Sequence, residues 1–336
     1  MTKKRQEVLS ASFKAGKNLT VREYADRWID NKRGSVASTT IRSHKILTNR
    51  ACSCEIDAAK HLFGDLKLTA VEPDHVRELQ RRLDKDGFST TTTNSTISEV
   101  RSIFKSALID RIVQFNPALG ISPLKRREEK VVDTTHRALT DDEIKRFFEN
   151  AKDSWHYNIF RFMIQTGCRC GEAAGLMFED VHDDMISIRR TVTRDEYGKY
   201  ILGDTAKTKS GVRDIPLTDI ALEVLEDQKK FMIDSMGTEI FEKEHLFFRD
   251  SRGQIVSSHS VDMSIKLICK KAGIEKFSSH AFRHTFATRA VEGGMNPKVL
   301  QTILGHSDIA LTLNLYTHVM DDTKIKEMKD CFHIAM

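Results

Sequence analysis

"HAFRHTFATRA", residues 280–290, sets His280, Arg283 and His284 at i, i+3 and i+4. On a helix the three share one face. The preceding Ser278 and Ser279 predict an N-cap at this point. Cations on a first turn oppose the helix dipole, which favours negative charge at that end. The stretch therefore predicts a helix whose start receives an anion, with backbone N–H groups and cations both facing it.

Working outward, helical periodicity dominates. "TVREYADRWIDNKR" puts Val21, Tyr24, Ala25 and Trp28 on one side, with Thr20 as cap and Glu23 completing a capping box. Residues 35–66 predict a second helix and a shorter one; "VEPDHVRELQRRLDKDG" and "STTTTNSTISEVRSIFKSALID" predict two more. Pro117, Pro123 and a charge run then interrupt the pattern. "TDDEIKRFFENA" restarts it, capped by Thr140 with acids in its first turn, and a helix over 154–166 follows. "MISIRRTVT", "YILGDT" and "RDIPL" alternate as short strands, with turns at "DEYGK" and "KSG", before helices return. The expected fold is mainly α with a small antiparallel β-sheet. It divides into a basic flexible tail (1–18), a helical domain (19–123), a linker (124–137), a mixed α+β domain (138–320) and a C-terminal helix (321–336).

Composition limits the function classes. Of 336 residues, 40% are hydrophobic and 30% charged, enough for two cored domains. No run approaches the ~18 apolar residues of a membrane span. The start of the chain shows no apolar signal region, which points to a cytoplasmic protein with reduced thiols. Cys52, Cys54, Cys168, Cys170, Cys269 and Cys331 form no C-x-x-C pair, so no zinc ribbon is expected. The net charge of +5 is uneven: residues 1–133 hold 25 Lys+Arg against 17 Asp+Glu, leaving 28 against 31 in the remainder. The excess positive charge in the first third points to a polyanionic partner.

Four segments of the second domain carry unusual polar residues. "TGCRCGEAAGL" (166–176) places Arg169 between a Thr-Gly break and Gly171-Glu172. "TAKTKSGVRDIPL" (205–217) puts Lys207 and Lys209 beside a hairpin turn at Ser210-Gly211. The third is the opening stretch. In "LGHSDIALTLNLYTHV" (304–319), His306 precedes a helix cap at Ser307 or Asp308, and Tyr316 lies ten residues on. Each alone has an ordinary reading: Arg169 as a helix cap or Glu172 partner, the lysines as solvated turn residues, Tyr316 as a core ring with a wet hydroxyl.

Taken together, T-G-x-R-x-G-E at Arg169, K-T-x-x-x-x-R-x-I-P at Lys207, H-x-x-R-H at His280 and Arg283, L-G-H-S at His306 and Y-T-H at Tyr316 resemble the tyrosine recombinases, the phage integrase family, in order and spacing across 137–320. The helical region 19–123 resembles the family's core-binding (SAM-like) DNA-binding domain in type and size. The resemblance implies a site-specific recombinase that cuts and rejoins DNA through a 3′-phosphotyrosine, without metal or cofactor, to integrate or excise a mobile element. Arg169 and Arg283 would grip the phosphate and Tyr316 would attack it. Lys207 would protonate the leaving oxygen, His280 would take the tyrosine proton and His306 would hold a phosphate oxygen. Glu172 would brace the site, Lys209 is the alternative lysine, and His284 packs nearby. The implied partners are double-stranded DNA with inverted half-sites, a homotetramer on that DNA that exchanges the C-terminal helix, and accessory DNA-bending or directionality proteins. With only about 18 residues before the first core-binding helix, the arm-binding domain of many integrases is expected to be absent or reduced.

Three other readings compete. His280 and His284 have the spacing of an H-x-x-x-H zinc pair, but Ala281 stands where such hydrolases place a glutamate, and no third ligand is evident. Two helices around Gly305 suggest a non-catalytic DNA-binding regulator. A type IB topoisomerase shares the chemistry, but the separate helical domain and short catalytic region favour the recombinase.

Overall fold

Thr20 is extended (φ −76°, ψ 164°), and its hydroxyl accepts from Glu23 N at 3.2 Å while Glu23 Oε2 accepts from Thr20 N at 2.8 Å. This capping box starts α1 (Val21–Lys32), which buries Val21, Tyr24, Ala25, Trp28 and Ile29, the face expected from the spacing. α2 (Ser38–Cys52), α3 (Pro73–Lys85) and α4 (Thr90–Ile109) follow. The short helix expected after α2 is instead a single 3₁₀ turn, Phe63–Asp65. Leu79 and Leu83 of α3 and Ile97, Val100 and Phe104 of α4 close a core with α1 and α2. In the computed structural model, residues 18–125, 137–204, 211–237, 248–306, 308–310 and 313 are described. Residues 1–17 of the expected tail, most of the linker 124–137, Lys207, Lys209, Tyr316 and the segment 321–336 lie outside them.

The chain divides into two compact units: Met1–Lys130 with Arg194–Lys199, and Val131–Thr193 with Tyr200–Met336. The second opens on Thr140, whose capping box with Glu143 starts α5 (Asp141–Ala151). α6 (Tyr157–Thr166) and the short α7 (Cys170–Ala174) precede the strands β1 (Val181–His182), β2 (Met185–Ile188), β3 (Arg190–Arg194), β4 (Tyr200–Asp204) and β5 (Arg213–Pro216). The expected single sheet is two. β1, β2 and β5 form one, with β2 antiparallel to β5 in the register Ile186↔Ile215 and Ile188↔Arg213; β3 and β4 form the other. "MISIRRTVT" thus serves both sheets, broken after Ile188, and Arg190 turns to pair with the buried Asp180 at 2.9 Å.

α8 (Asp219–Met236), α9 (Ser258–Ala272), α10 (His280–Glu292) and α11 (Pro297–Leu304) complete the described elements. Their core centres on Phe147, Phe160, Phe277 and Phe282, with ring centroids 5.1–5.5 Å from Phe147 to the other three. Among the described residues no helix is long and apolar enough to cross a membrane.

Candidate active site

α10 carries the opening stretch and starts where expected, after Ser279, but its capping differs. Ser279 is helical (φ −53°, ψ −24°) and supplies no side-chain cap; its N instead donates to Asp262 Oδ1 at 2.8 Å. A missing cap costs ~1 kcal/mol. Burying Phe282 contributes roughly 2–3 kcal/mol, so packing outweighs capping here. Thr285 adds a pin, its hydroxyl accepting from Leu139 N at 2.9 Å. On this anchored helix Arg283 is 7% exposed and donates to two backbone carbonyls, Gly167 O at 3.0 Å and Leu304 O at 2.6 Å. No carboxylate oxygen appears among these bonds.

Gly167 explains the Thr-Gly break of the first motif. It ends α6 in the left-handed region (φ +67°), and a Cβ there would lie 2.5 Å from the Phe286 ring. Only glycine turns the chain here while keeping its carbonyl on Arg283. Two residues on, Arg169 is the extended N-cap of α7, and Glu172 reaches back to accept from Arg169 N at 2.9 Å and Arg169 Nη1 at 2.7 Å. Gly171 lets this turn approach β3: a Cβ would lie 2.7 Å from Val192 O.

Glu172 is 4% exposed and also meets Arg213, with Nη1 at 3.1 Å from Oε1 and Nη2 at 2.8 Å from Oε2. Burial pushes the Glu172 carboxyl up, but Arg213's hydrogen bonds and charge, then Arg169's charge, outweigh it and hold the group at about 2. Burial and then the charge of Arg169 lower Arg283 to about 9, so it stays cationic at neutral pH. Three guanidiniums therefore stand within the influence of one carboxylate, which two of them, Arg169 and Arg213, bond directly.

His306 follows Gly305, the left-handed end of α11. Gln301 fixes its backbone: His306 N donates to Gln301 O at 3.2 Å, and Gln301 Nε2 donates to His306 O at 3.1 Å. Burial, then Arg283, Arg169, Arg213 and His284, push the imidazole down to about 4. At neutral pH it is an uncharged hydrogen-bonding group among cations. Burial raises the Cys168 thiol to about 11, so it adds no anion.

The structure thus brings Arg169, Glu172, Arg283 and His306 together, with His284 close enough to act on His306. His280 stands exposed on the first turn of α10. Lys207, Lys209 and Tyr316 lie outside the described residues. Arg213 is the member that sequence reading did not single out. Its signal was the R-x-I-P of the hairpin motif, which reads as an ordinary strand start. Among the described residues no group of three or more His, Cys, Asp or Glu is placed to hold a metal ion. Chemically, the arrangement suits a tetrahedral oxyanion: two arginine forks and a neutral imidazole, with positive charge in excess.

Comparison with known proteins agrees with this geometry. Residues 137–323, more than half of the chain, match the model of the phage integrase family. The transposase from transposon Tn916 of Enterococcus faecalis is 28% identical over 289 residues, covering 80% of this chain and 69% of the relative. The tyrosine recombinase XerD of Corynebacterium glutamicum is 26% identical over 313 residues, covering 91% of this chain and 96% of the relative. The solved structure of the Tn1549 transposon integrase, in complex with a circular intermediate DNA, superposes with a TM-score of 0.75 at 25% identity, over 94% of this chain and 100% of that one.

Proposed function

The chain belongs to the phage integrase family of tyrosine-type site-specific recombinases, and on that premise we propose how its residues divide the work on the DNA of a mobile element. The substrate is a duplex with inverted half-sites, gripped by the helical unit as a core-binding domain (19–123) and, across the linker 124–137, by the catalytic domain (138–320). The reaction takes place in the cytoplasm, on nucleoid DNA.

The Tyr316 phenol attacks the scissile phosphorus. A bond forms from the phenolic oxygen to phosphorus while the bond from phosphorus to the 5′ oxygen breaks. This gives a 3′-phosphotyrosine and a free 5′-hydroxyl. A phenol with pKa near 10 serves as nucleophile and later as leaving group, so the bond is resealed without an outside energy source. His280 takes the phenolic proton, and Lys207, or Lys209 two residues on, gives one to the 5′ oxygen. Arg169 and Arg283 hold the non-bridging oxygens as charge builds on them. His306, neutral, donates a hydrogen bond to one of them. Glu172 braces Arg169, and His284 packs behind.

One observation carries this reading: Arg169 and Arg213 share the Glu172 carboxylate, with Arg283, held by backbone carbonyls, and a neutral His306 beside them. A DNA-binding regulator has no need of such a braced cluster, and the family match disfavours a zinc hydrolase. Four protomers in a ring, with DNA-bending or directionality proteins, would complete the recombination complex. The test is a suicide duplex built from the DNA flanking the gene and nicked near the cleavage point. The parent should become covalently attached to it, and Tyr316→Phe should bind it equally and attach to nothing. An adduct of undiminished yield in Tyr316→Phe rules the assignment out.

A further inference from the structure

Arg213 opens β5, just after the segment that carries both candidate lysines, and is 6% exposed. Its three side-chain nitrogens are all engaged. Nη1 and Nη2 take the two oxygens of Glu172, and Nε donates to Ile303 O at 2.6 Å. Ile303 lies in the last turn of α11, three residues before His306. One side chain thus joins β5, the turn bearing Arg169 and the turn leading to His306.

The consequence for Arg169 follows from counting acceptors. A carboxylate offers about four acceptor positions. Oε1 of Glu172 receives Arg169 Nη1 and Arg213 Nη1; Oε2 receives Arg169 N and Arg213 Nη2. An arginine alone with a carboxylate is held by two parallel bonds from its fork. With Arg213 in place, Arg169 makes one side-chain bond to Glu172, and its side chain is 42% exposed.

We propose, resting on the recombinase reading, that Arg213 is a positioning residue for DNA cleavage: it occupies both oxygens of Glu172 so that Arg169 keeps its outer donors for the phosphate. Without Arg213, the carboxylate is left to Arg169 and pulls that fork inward, away from the DNA. The Glu172 carboxyl also loses the guanidinium that most strongly keeps it ionised; Arg169, Arg283 and Cys168 remain around it. Its protonation then moves towards neutral pH, where it can be followed.

The test uses the full chain with Arg213→Met and Arg213→Lys, each alone and combined with Glu172→Gln. Single-turnover adduct formation on the suicide duplex is measured between about pH 5.5 and about pH 8.5, alongside affinity for the same duplex. Isotope-edited infrared spectroscopy follows the Glu172 carboxylate without DNA. Arg213→Met is expected to bind within about threefold of the parent yet form adduct about 30-fold more slowly, with a deficit that grows as pH falls. Arg213→Lys, which keeps the charge but not the fork, should recover part of the rate. In the Glu172→Gln background, Arg213→Met should cost less than about threefold more, and the pH-dependent part should vanish. A deficit that is flat with pH and undiminished in that background makes Arg213 a merely structural residue and overturns the proposal, as does a parent-like rate. If Arg213→Met does not fold, Arg213→Lys decides: a parent-like rate and profile overturns the proposal. If the parent itself forms no adduct, the recombinase reading fails separately. The infrared titration then decides on Arg213: a Glu172 still fully ionised near pH 5.5 in Arg213→Met overturns the coupling.

Discussion

His306 sets how the site meets an anion, because its charge state is the one that the neighbouring cations suppress. The folded-state pKa is about 4, below the ordinary 6.5, through burial and the charges of Arg283, Arg169, Arg213 and His284. The sign follows from linkage. The unfolded chain takes up a proton as pH falls through 6.5 and the folded chain does not, so stability is full above that value and declines as pH falls towards 4. Between about pH 6.5 and about pH 5, where few carboxylates titrate, thermal unfolding of the parent should move to lower temperature more steeply than that of His306→Gln. Screening by solvent keeps the difference at or below roughly 1 kcal/mol. His156, also lowered by burial, contributes equally to both proteins and cancels. Identical slopes, measured by calorimetry, would refute the depressed imidazole. At this scale the sequence was partly legible. Arg169, Glu172, Arg283 and His306 stood out because their residue types and spacing mark charge chemistry. Arg213 did not, because its partner lies 41 residues away and no local pattern records a pair made across the fold.

Elements were legible where the cause of their ends is local. The capping boxes of Thr20 with Glu23 and Thr140 with Glu143 start α1 and α5 where the sequence places them. α10 starts after Ser279, where the sequence places it, but without the expected Ser279 hydroxyl cap; packing of Phe282 holds it instead. The single expected sheet became two for a similar reason: alternation in "MISIRRTVT" marks strand but says nothing of which partner each half takes. Gly167 gives a prediction at this level. Gly167→Ala meets two costs, a left-handed backbone at ~1–2 kcal/mol and a collision with Phe286 that adds ~1–3 kcal/mol as overpacking. Gly294→Ala is the control, since Gly294 has φ +77° but nothing within 4 Å of an added Cβ. Denaturant midpoints should fall further in Gly167→Ala than in the control, by about 1 kcal/mol or more when converted to free energy. Cleavage should fall with it, because Gly167 O is one of the two carbonyls that hold Arg283. Equal destabilisation of the two variants would mean that the ring yields and the close approach is unimportant.

For the molecule as a whole, the linker expected at 124–137 rests on Pro117, Pro123 and the charge run. That Arg194–Lys199 belongs to the first compact unit was not legible, because no local pattern records it. Assembly beyond one chain turns on the last segment, "MDDTKIKEMKDCFHIAM", residues 320–336. Asp321 and Asp322 suit a first helical turn, and Ile325, Met328 and Phe332 recur at helical spacing. A helix this short is marginal alone and needs a groove to cover its apolar side. If a neighbouring protomer supplies that groove head to tail, the exchange closes a ring and ties the position of Tyr316, just upstream, to the neighbour's presence. Only some protomers would then cut at once. Deleting residues 324–336 should leave a monomer that binds a single half-site with the parent's affinity. It should lose cooperative binding to a full site and strand exchange, read by gel shift and by recombination between two marked duplexes. A truncated chain that still assembles cooperatively and recombines at the parent's rate would place the groove in its own domain and remove the exchange.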